Sequence, residues 1–188
     1  MVGHGVLVLT GPPCSGKSSV GTALTAQRSP IDGVPIEIDS LFDVLFPDSD
    51  RNRRDRMLAY DAAHELARMF VERGKTPVLE CTYSRREQRI SLVSAMARTP
   101  AAPLWIVELE VGPERAVERW HQRDQPRDLT EQLVRERAAT FPYSDHALRL
   151  NTSTSVPNEL ALQILSWLGH GPRSVPREVW AAEGNDWD

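Results

Sequence analysis

Short apolar runs alternate with amphipathic stretches along the chain. Val6-Leu7-Val8-Leu9-Thr10 is a continuous apolar run of the kind a parallel strand buried on both faces requires. Gly11-Pro12-Pro13-Cys14-Ser15-Gly16 cannot extend it, and residues 17–27 then read as a helix with Val20, Ala23 and Leu24 on one side. A second strand is expected at 35–39 and a brief helical piece at 40–46. A long helix follows, with Leu58, Ala62, Leu66 and Phe70 as its apolar stripe and Gly74 as its stop. Further strands are expected at 77–83, 104–109 and 148–151. Helices are expected at 86–98 (inner stripe Ile90, Val93, Ala97), 113–122, 130–139 and 157–168, the last stopped by Gly169. Residues 170–188 are punctuated by proline and glycine and read as a loose tail that Trp180 could dock. Strand and helix therefore alternate throughout, which predicts a three-layer α/β fold with a mainly parallel sheet.

Composition narrows the picture. With 188 residues the chain has room for one domain. Hydrophobic residues at 40% and charged residues at 26% are ordinary globular proportions and exclude wholesale disorder. The formal charge of −4 excludes a generally basic nucleic-acid coat but leaves room for a local basic groove. Cys14 and Cys81 are the two cysteines, and without a CxxC they offer neither a disulfide framework nor a zinc site. The apolar run at Val6–Leu9 is too short for a signal-peptide core or a membrane span, so a cytoplasmic protein with no membrane contact is expected. Of the 22 basic residues only Lys17 and Lys75 are lysines.

One of those two lysines closes Gly11-Pro12-Pro13-Cys14-Ser15-Gly16-Lys17-Ser18, which fits GxxxxGK[ST] between a buried strand and a helix. In such a loop successive backbone N–H groups curl around a phosphate, and the following helix adds its positive end. Lys17 supplies a cation for the β- and γ-phosphates, and the Ser18 hydroxyl a ligand for Mg²⁺, with Ser19 next to it. ATP and Mg²⁺ are the expected cofactors, held by Gly11 to Ser19.

Other polar residues bear on what happens to the γ-phosphate. Asp39, expected at a strand's carboxyl end, either accepts the proton of an attacking hydroxyl or caps the helix that follows. Glu80 closes an apolar strand, where an unpartnered carboxylate is costly, so it is assigned toward Mg²⁺ or its water shell. Arg85, Arg86 and Arg89 follow, either holding substrate (Arg85 and Arg89 are the candidates) or forming a solvated helix face. Arg119, Arg123 and Arg127 recur at four-residue spacing across a break near Asp124. They form either a lid that carries arginines onto the phosphates or an ion-pair network with Glu114, Glu118 and Asp124. Arg51, Arg53 and Arg54 read as a solvated helix start or as contacts to a phosphorylated acceptor.

Taken together, the 11–18 loop, the Ile38-Asp39-Ser40 turn, Val78 to Tyr83 with its trailing arginines, and the arginines around Asp124 resemble the small P-loop kinases of the predicted-kinase (AAA-like) group. Chloramphenicol phosphotransferase, shikimate kinase, zeta toxins and polynucleotide 5′-kinases belong there. The resemblance implies a five-stranded parallel sheet in order 2-3-1-4-5, a kinase domain over 1–169, a small helical lid at about 122–130 and a C-terminal tail over 170–188. It implies Asp39 as base or acceptor-positioning group, Arg119 stacked on adenine, and Arg123 and Arg127 on the phosphates. Asn151-Thr152-Ser153 would lie beside the purine. Two departures matter. Glu80 stands where many relatives carry aspartate, and Phe42 stands where polynucleotide kinases place an arginine. The apolar stretch around Phe42 therefore points to an acceptor pocket suited to a partly hydrophobic alcohol.

The expected activity is ATP- and Mg²⁺-dependent phosphoryl transfer to a hydroxyl of a small molecule. Two alternatives stand beside it: a kinase for nucleotides or polynucleotide 5′-hydroxyls, and a nucleotide-gated interaction module that turns nothing over.

Overall fold

The computed structural model describes residues 4–27, 32–123 and 129–186. Its elements run β1 (Val6–Thr10), α1 (Lys17–Ala26), β2 (Gly33–Glu37), α2 (Ile38–Leu45), α3 (Arg53–Glu72), β3 (Thr76–Glu80) and α4 (Arg86–Met96). Then come β4 (Leu104–Glu110), α5 (Pro113–His121), α6 (Glu131–Ala139), β5 (Leu148–Asn151), α7 (Pro157–Gly169) and α8 (Arg177–Ala182). The strands form one sheet in the order β2-β3-β1-β4-β5, every pair parallel. This is the three-layer P-loop architecture and strand order that the sequence implies.

The two-residue period of a strand divides the core between the sheet faces. From β1, Val6 and Val8 join the cluster under α2, α3, α4 and α8, while Leu7 and Leu9 join Val20, Leu24, Leu160 and Ile164 under α1 and α7. A third, smaller cluster ties α5 and α6 to Cys14 of the phosphate loop through Val117, Trp120 and Val134. No helix among the described residues is long and apolar enough to cross a membrane.

Several expectations are corrected. In α3 the core-facing residues are Ala59, Ala63 and Ala67 with Tyr60, His64 and Arg68, whereas Leu58 and Leu66 are 46% and 37% exposed. A row of alanines four apart lets the helix approach closely, and the polar neighbours bury their stems with their tips partnered. A one-step displacement in the opposite direction occurs in α4, which buries Arg89, Leu92 and Met96 and leaves Ile90 exposed. β2 ends at Glu37, so Asp39 lies in the first turn of α2 rather than at a strand terminus. Gly169 is helical, and Gly171 (φ +67°) is the left-handed residue beyond α7.

The C-terminal segment is not loose. The Val175 amide donates to Leu104 O at 2.9 Å, and Arg177 donates to the carbonyls of Met96, Thr99 and Ala102. Trp180 is fully buried against Tyr83 and Arg89. Asn185 then brackets the β3–α4 loop: its amide donates to Ser84 O at 2.8 Å and its carbonyl accepts from the Arg86 amide at 2.9 Å.

Candidate active site

The phosphate loop links the carboxyl end of the central strand β1 to α1, with Gly11 to Ser15 buried. A Cβ on Gly11 would stand 2.5 Å from Leu109 O and 2.7 Å from Ser15 Oγ, so only glycine lets the loop pass this close to β4. Cys14 (φ +61°) and Gly16 (φ +91°) are both left-handed, the alternation that turns successive amides toward one concavity. Ser15 Oγ is buried in the loop with no hydrogen-bond partner among the described residues, a donor that a bound anion would satisfy. The loop residues fit a bound phosphate.

Lys17 bridges the loop and the sheet edge. Its Nζ donates to Gly11 O at 3.1 Å and to Pro12 O at 3.0 Å. Burial lowers its pKa, while the charges of Asp39 and Glu80 oppose that shift, which places both carboxylates within electrostatic reach of the ammonium. Ser18 Oγ donates to Glu37 Oε1 at 3.3 Å. Glu37 and Glu80 are register partners at the ends of β2 and β3, so the parallel ladder holds two carboxylates side by side above the serine. Burial raises the Glu80 pKa, and Glu37 adds to the rise. Glu80 turns under α1 because residue 21 is glycine; a Cβ there would lie 2.5 Å from Glu80 Oε2.

A hydroxyl and two carboxylates are hard oxygen donors suited to Mg²⁺, which commonly completes its shell with substrate phosphate and water. Among the described residues no group of three His, Cys, Asp or Glu side chains forms a metal cage by itself. The donor set therefore fits a magnesium shared with a triphosphate. Glu37 was not singled out in the sequence; the signal available was its place as the last residue of an edge strand pairing with that of Glu80.

Beside Lys17 a cleft open to solvent runs from α2 to α6. Asp39, Phe42 and Arg85, expected there, are brought together, and Tyr60, Cys81, Thr82 and Gln88 complete part of its lining. Burial pushes the Cys81 thiol up to about 12, so it stays protonated, hydrogen-bonded to Tyr60 OH at 2.6 Å. The cleft is partly apolar and strongly cationic. Ile38, Phe42, Met57 and Ala59 do line it, but so do Arg51, Arg53, Arg56, Arg85 and Arg137. Arg51 covers the Phe42 ring at 4.9 Å and pairs with Asp43. Arg53 forms a bidentate pair with Glu87 at 2.9–3.2 Å.

Arg89, expected to touch substrate, does not reach the cleft. It is fully buried, and its three guanidinium nitrogens donate to Tyr83 O, Trp180 O and Pro142 O at 2.7–2.9 Å. There it holds Tyr83, a non-glycine residue at φ +46°, and so fixes the loop that presents Arg85.

On the other side, Arg119 donates to Cys14 O at 3.3 Å and to the side chain and carbonyl of Thr152, joining the phosphate loop to the β5–α7 loop. Arg123 Nη1 stands 4.0 Å from Cys14 Sγ, facing the phosphate loop. Arg127 and most of the expected lid lie outside the described residues.

No curated protein sequence matches the chain. Among solved structures it is similar to the APS kinase of Mycobacterium tuberculosis in complex with AMPPNP and APS, at TM-score 0.70 and 16% identity over 90% of this chain and 99% of that one. It is also similar to the tunicamycin resistance protein of Deinococcus radiodurans (0.66, 14%, 92% and 99%) and to a gluconokinase from Sinorhizobium meliloti (0.60, 22%, 88% and 92%). At these identities the likeness is one of fold. Residues 6–143 match the AAA domain family, AAA_33. With its phosphate loop on the central strand and its 2-3-1-4-5 sheet, the chain belongs to that family and has the fold of the P-loop kinases.

Proposed function

We propose that the chain is an ATP- and Mg²⁺-dependent phosphotransferase acting on a hydroxyl of a small molecule, of antibiotic, sugar-like or nucleoside-like kind. The observation that carries this reading is the position of Lys17. It lies on the phosphate loop and within electrostatic reach of Asp39, which lines the adjoining cleft. Donor phosphate and acceptor hydroxyl would meet there.

In this reading Gly11 to Ser19 hold the triphosphate, and Lys17 with Arg123 and Arg127 offsets the charge spread over the transferring group. Arg119 positions the nucleotide side of the loop. Ser18, Glu37 and Glu80 would hold Mg²⁺, which when bound neutralises charge on the β- and γ-oxygens. Asp39 orients the acceptor hydroxyl and receives its proton. The hydroxyl oxygen bonds to the γ-phosphorus as the bond to the bridging oxygen breaks, and that electron pair leaves with ADP. Phe42 and Arg85 contact the acceptor.

The test is ATP consumption across hydroxylated metabolites, antibiotics and 5′-hydroxyl oligonucleotides, with ³¹P NMR locating the new phosphate. A phosphate ester on a small-molecule hydroxyl is expected. A second reading, transfer to nucleotides or polynucleotide 5′-ends, is favoured by the arginines of the cleft. A phosphorylated oligonucleotide, with acceptor affinity falling steeply with salt, would select it.

A further inference from the structure

Two protons of the cleft wall have no part in the reading above. Tyr60, from α3, and Cys81, just beyond β3, both line the cleft and are each 5% exposed. Tyr60 OH and Cys81 Sγ lie 2.6 Å apart. Each group brings one proton, and the single hydrogen bond between them uses only one of the two. The other proton has no further acceptor among the described residues. Burial raises the pKa of both groups, Cys81 to about 12 and Tyr60 well above the ordinary phenol range, so both protons stay in place at neutral pH. The phenol is also held from behind. Its ring stands edge-on to Tyr83 at 5.4 Å and to His64 at 5.8 Å, and both of those residues are fully buried.

The pair stands where transfer would take place. Tyr60, Cys81 and Lys17 all lie within electrostatic reach of Asp39, and Cys81 within reach of Lys17. Sulfur is a weak donor and a weak acceptor, whereas the phenol oxygen is good at both. With a carboxylate in reach, the arrangement that serves the stronger groups has the Cys81 S–H donating to the phenol oxygen. The Tyr60 O–H is then turned to Asp39 and the cleft. An alcohol brought there gives its proton to Asp39 and one lone pair to the γ-phosphorus. A second lone pair remains on its oxygen, and a neutral donor beside Asp39 can hold it. A hydroxyl, which both donates and accepts, meets both demands; a phosphate or carboxylate oxygen brings no proton and is repelled by Asp39.

We propose that Tyr60 contacts the acceptor, donating its O–H to the oxygen of an uncharged hydroxyl whose proton goes to Asp39, and that Cys81 is a positioning residue that fixes the phenol by donating its S–H to it. The proposal rests on the phosphotransferase reading and narrows the nucleophile to a neutral alcohol oxygen. Neither Tyr60 nor Cys81 gives up its proton during transfer.

The experiment has two arms on the full chain. In the first, protein saturated with magnesium AMPPNP is tested by ligand-observed NMR for binding of hydroxylated metabolites and antibiotics, with glucose, adenosine and AMP in the panel. The strongest binder is then titrated into the variants. Tyr60→Phe keeps the ring contacts and should weaken it about fivefold to tenfold, the scale of one neutral hydrogen bond, with magnesium-AMPPNP affinity unchanged. Cys81→Ala should weaken it by about threefold, whereas Cys81→Ser, whose O–H can donate to the same phenol oxygen, should stay near wild type. Infrared difference spectra against Cys81→Ala isolate the Cys81 S–H stretch, which should shift toward the free-thiol position in Tyr60→Phe. A band indifferent to Tyr60→Phe would remove Cys81 from the proposal.

In the second arm, ATP consumption is followed with the same panel. Tyr60→Phe should raise acceptor KM more than it lowers kcat, because a bond donated to the hydroxyl oxygen weakens as that oxygen bonds phosphorus. Binding sensitive to Tyr60→Phe without turnover of any member would uphold the contact and count against the transferase reading. Turnover with acceptor KM the same in Tyr60→Phe would overturn the contact and leave the transferase standing. A product carrying its new phosphate on the phosphate of AMP would overturn the assignment to a neutral hydroxyl. Neither binding nor turnover of any member would overturn both.

Discussion

In the proposed reading, the nucleotide end and the acceptor end of this site are built in opposite ways. The phosphate loop is eight consecutive residues, Gly11 to Ser18, whose backbone does the work and whose shape is set by glycine and a left-handed cysteine. The acceptor cleft is assembled from side chains on α2, α3, the β3–α4 loop and α6, held in place by residues that never touch it. Arg89 and Asn185 fix the β3–α4 loop from behind, and Trp180 anchors the segment that carries Asn185. A backbone cradle tolerates change around it; a side-chain cleft depends on its whole support. The two ends should therefore respond to different substitutions.

The largest separation is expected from Asp39→Asn. It should lower kcat by roughly 10²–10⁴, the scale for losing a positioned base, while the affinity for magnesium-ATP stays within about twofold. Loss of nucleotide binding in step with activity would contradict the assignment of Asp39 to the acceptor end. Next is Trp180→Ala. Emptying a fully buried tryptophan site should destabilise the protein by about 3–5 kcal/mol in urea denaturation. In protein that remains folded it should raise acceptor KM more than ATP KM. A stability change under about 1 kcal/mol would mean the C-terminal segment does not support the fold.

The smallest effect concerns pH. His64 lies behind the cleft between Ser91 Oγ and Tyr83 OH, each 2.8 Å from a ring nitrogen, and burial lowers its pKa to about 3. A folded-state value below the unfolded one gives stability that is present above about pH 6.5 and lost as pH falls from there toward 3. Between pH 7 and 5, wild-type protein should lose about 2 kcal/mol more than His64→Gln in urea denaturation. Equal losses would remove His64 from the account.

The contrast also explains what could be read from the sequence. The strands Val6–Thr10 and Leu148–Asn151 and the phosphate loop are contiguous signals, and the structure has both strands at those bounds. Helix faces are poorly legible where packing prefers small residues. In α3 the four-residue spacing of Leu58, Ala62, Leu66 and Phe70 predicts one inner face, but the alanines beside it face the core. Arg85 and Arg89 are indistinguishable as neighbours in one arginine-rich run, and only tertiary burial separates a cleft residue from a clamp. Arg56 lies three residues from Arg53 at a helix start, a spacing that places both on one face. Arg137 gives no local signal, because the other residues of the cleft lie 49 or more positions away.

The claim beneath both ends is that the loop from Gly11 to Ser18 grips a triphosphate. Calorimetric titration of magnesium-ATP into wild-type protein and into folded Lys17→Ala tests it most directly. One site per chain is expected in the wild type and weaker binding in the variant, whose ATP turnover should fall by roughly 10²–10³, the scale for losing one preorganised charge. No heat from the wild type, or the same affinity in both, would contradict it.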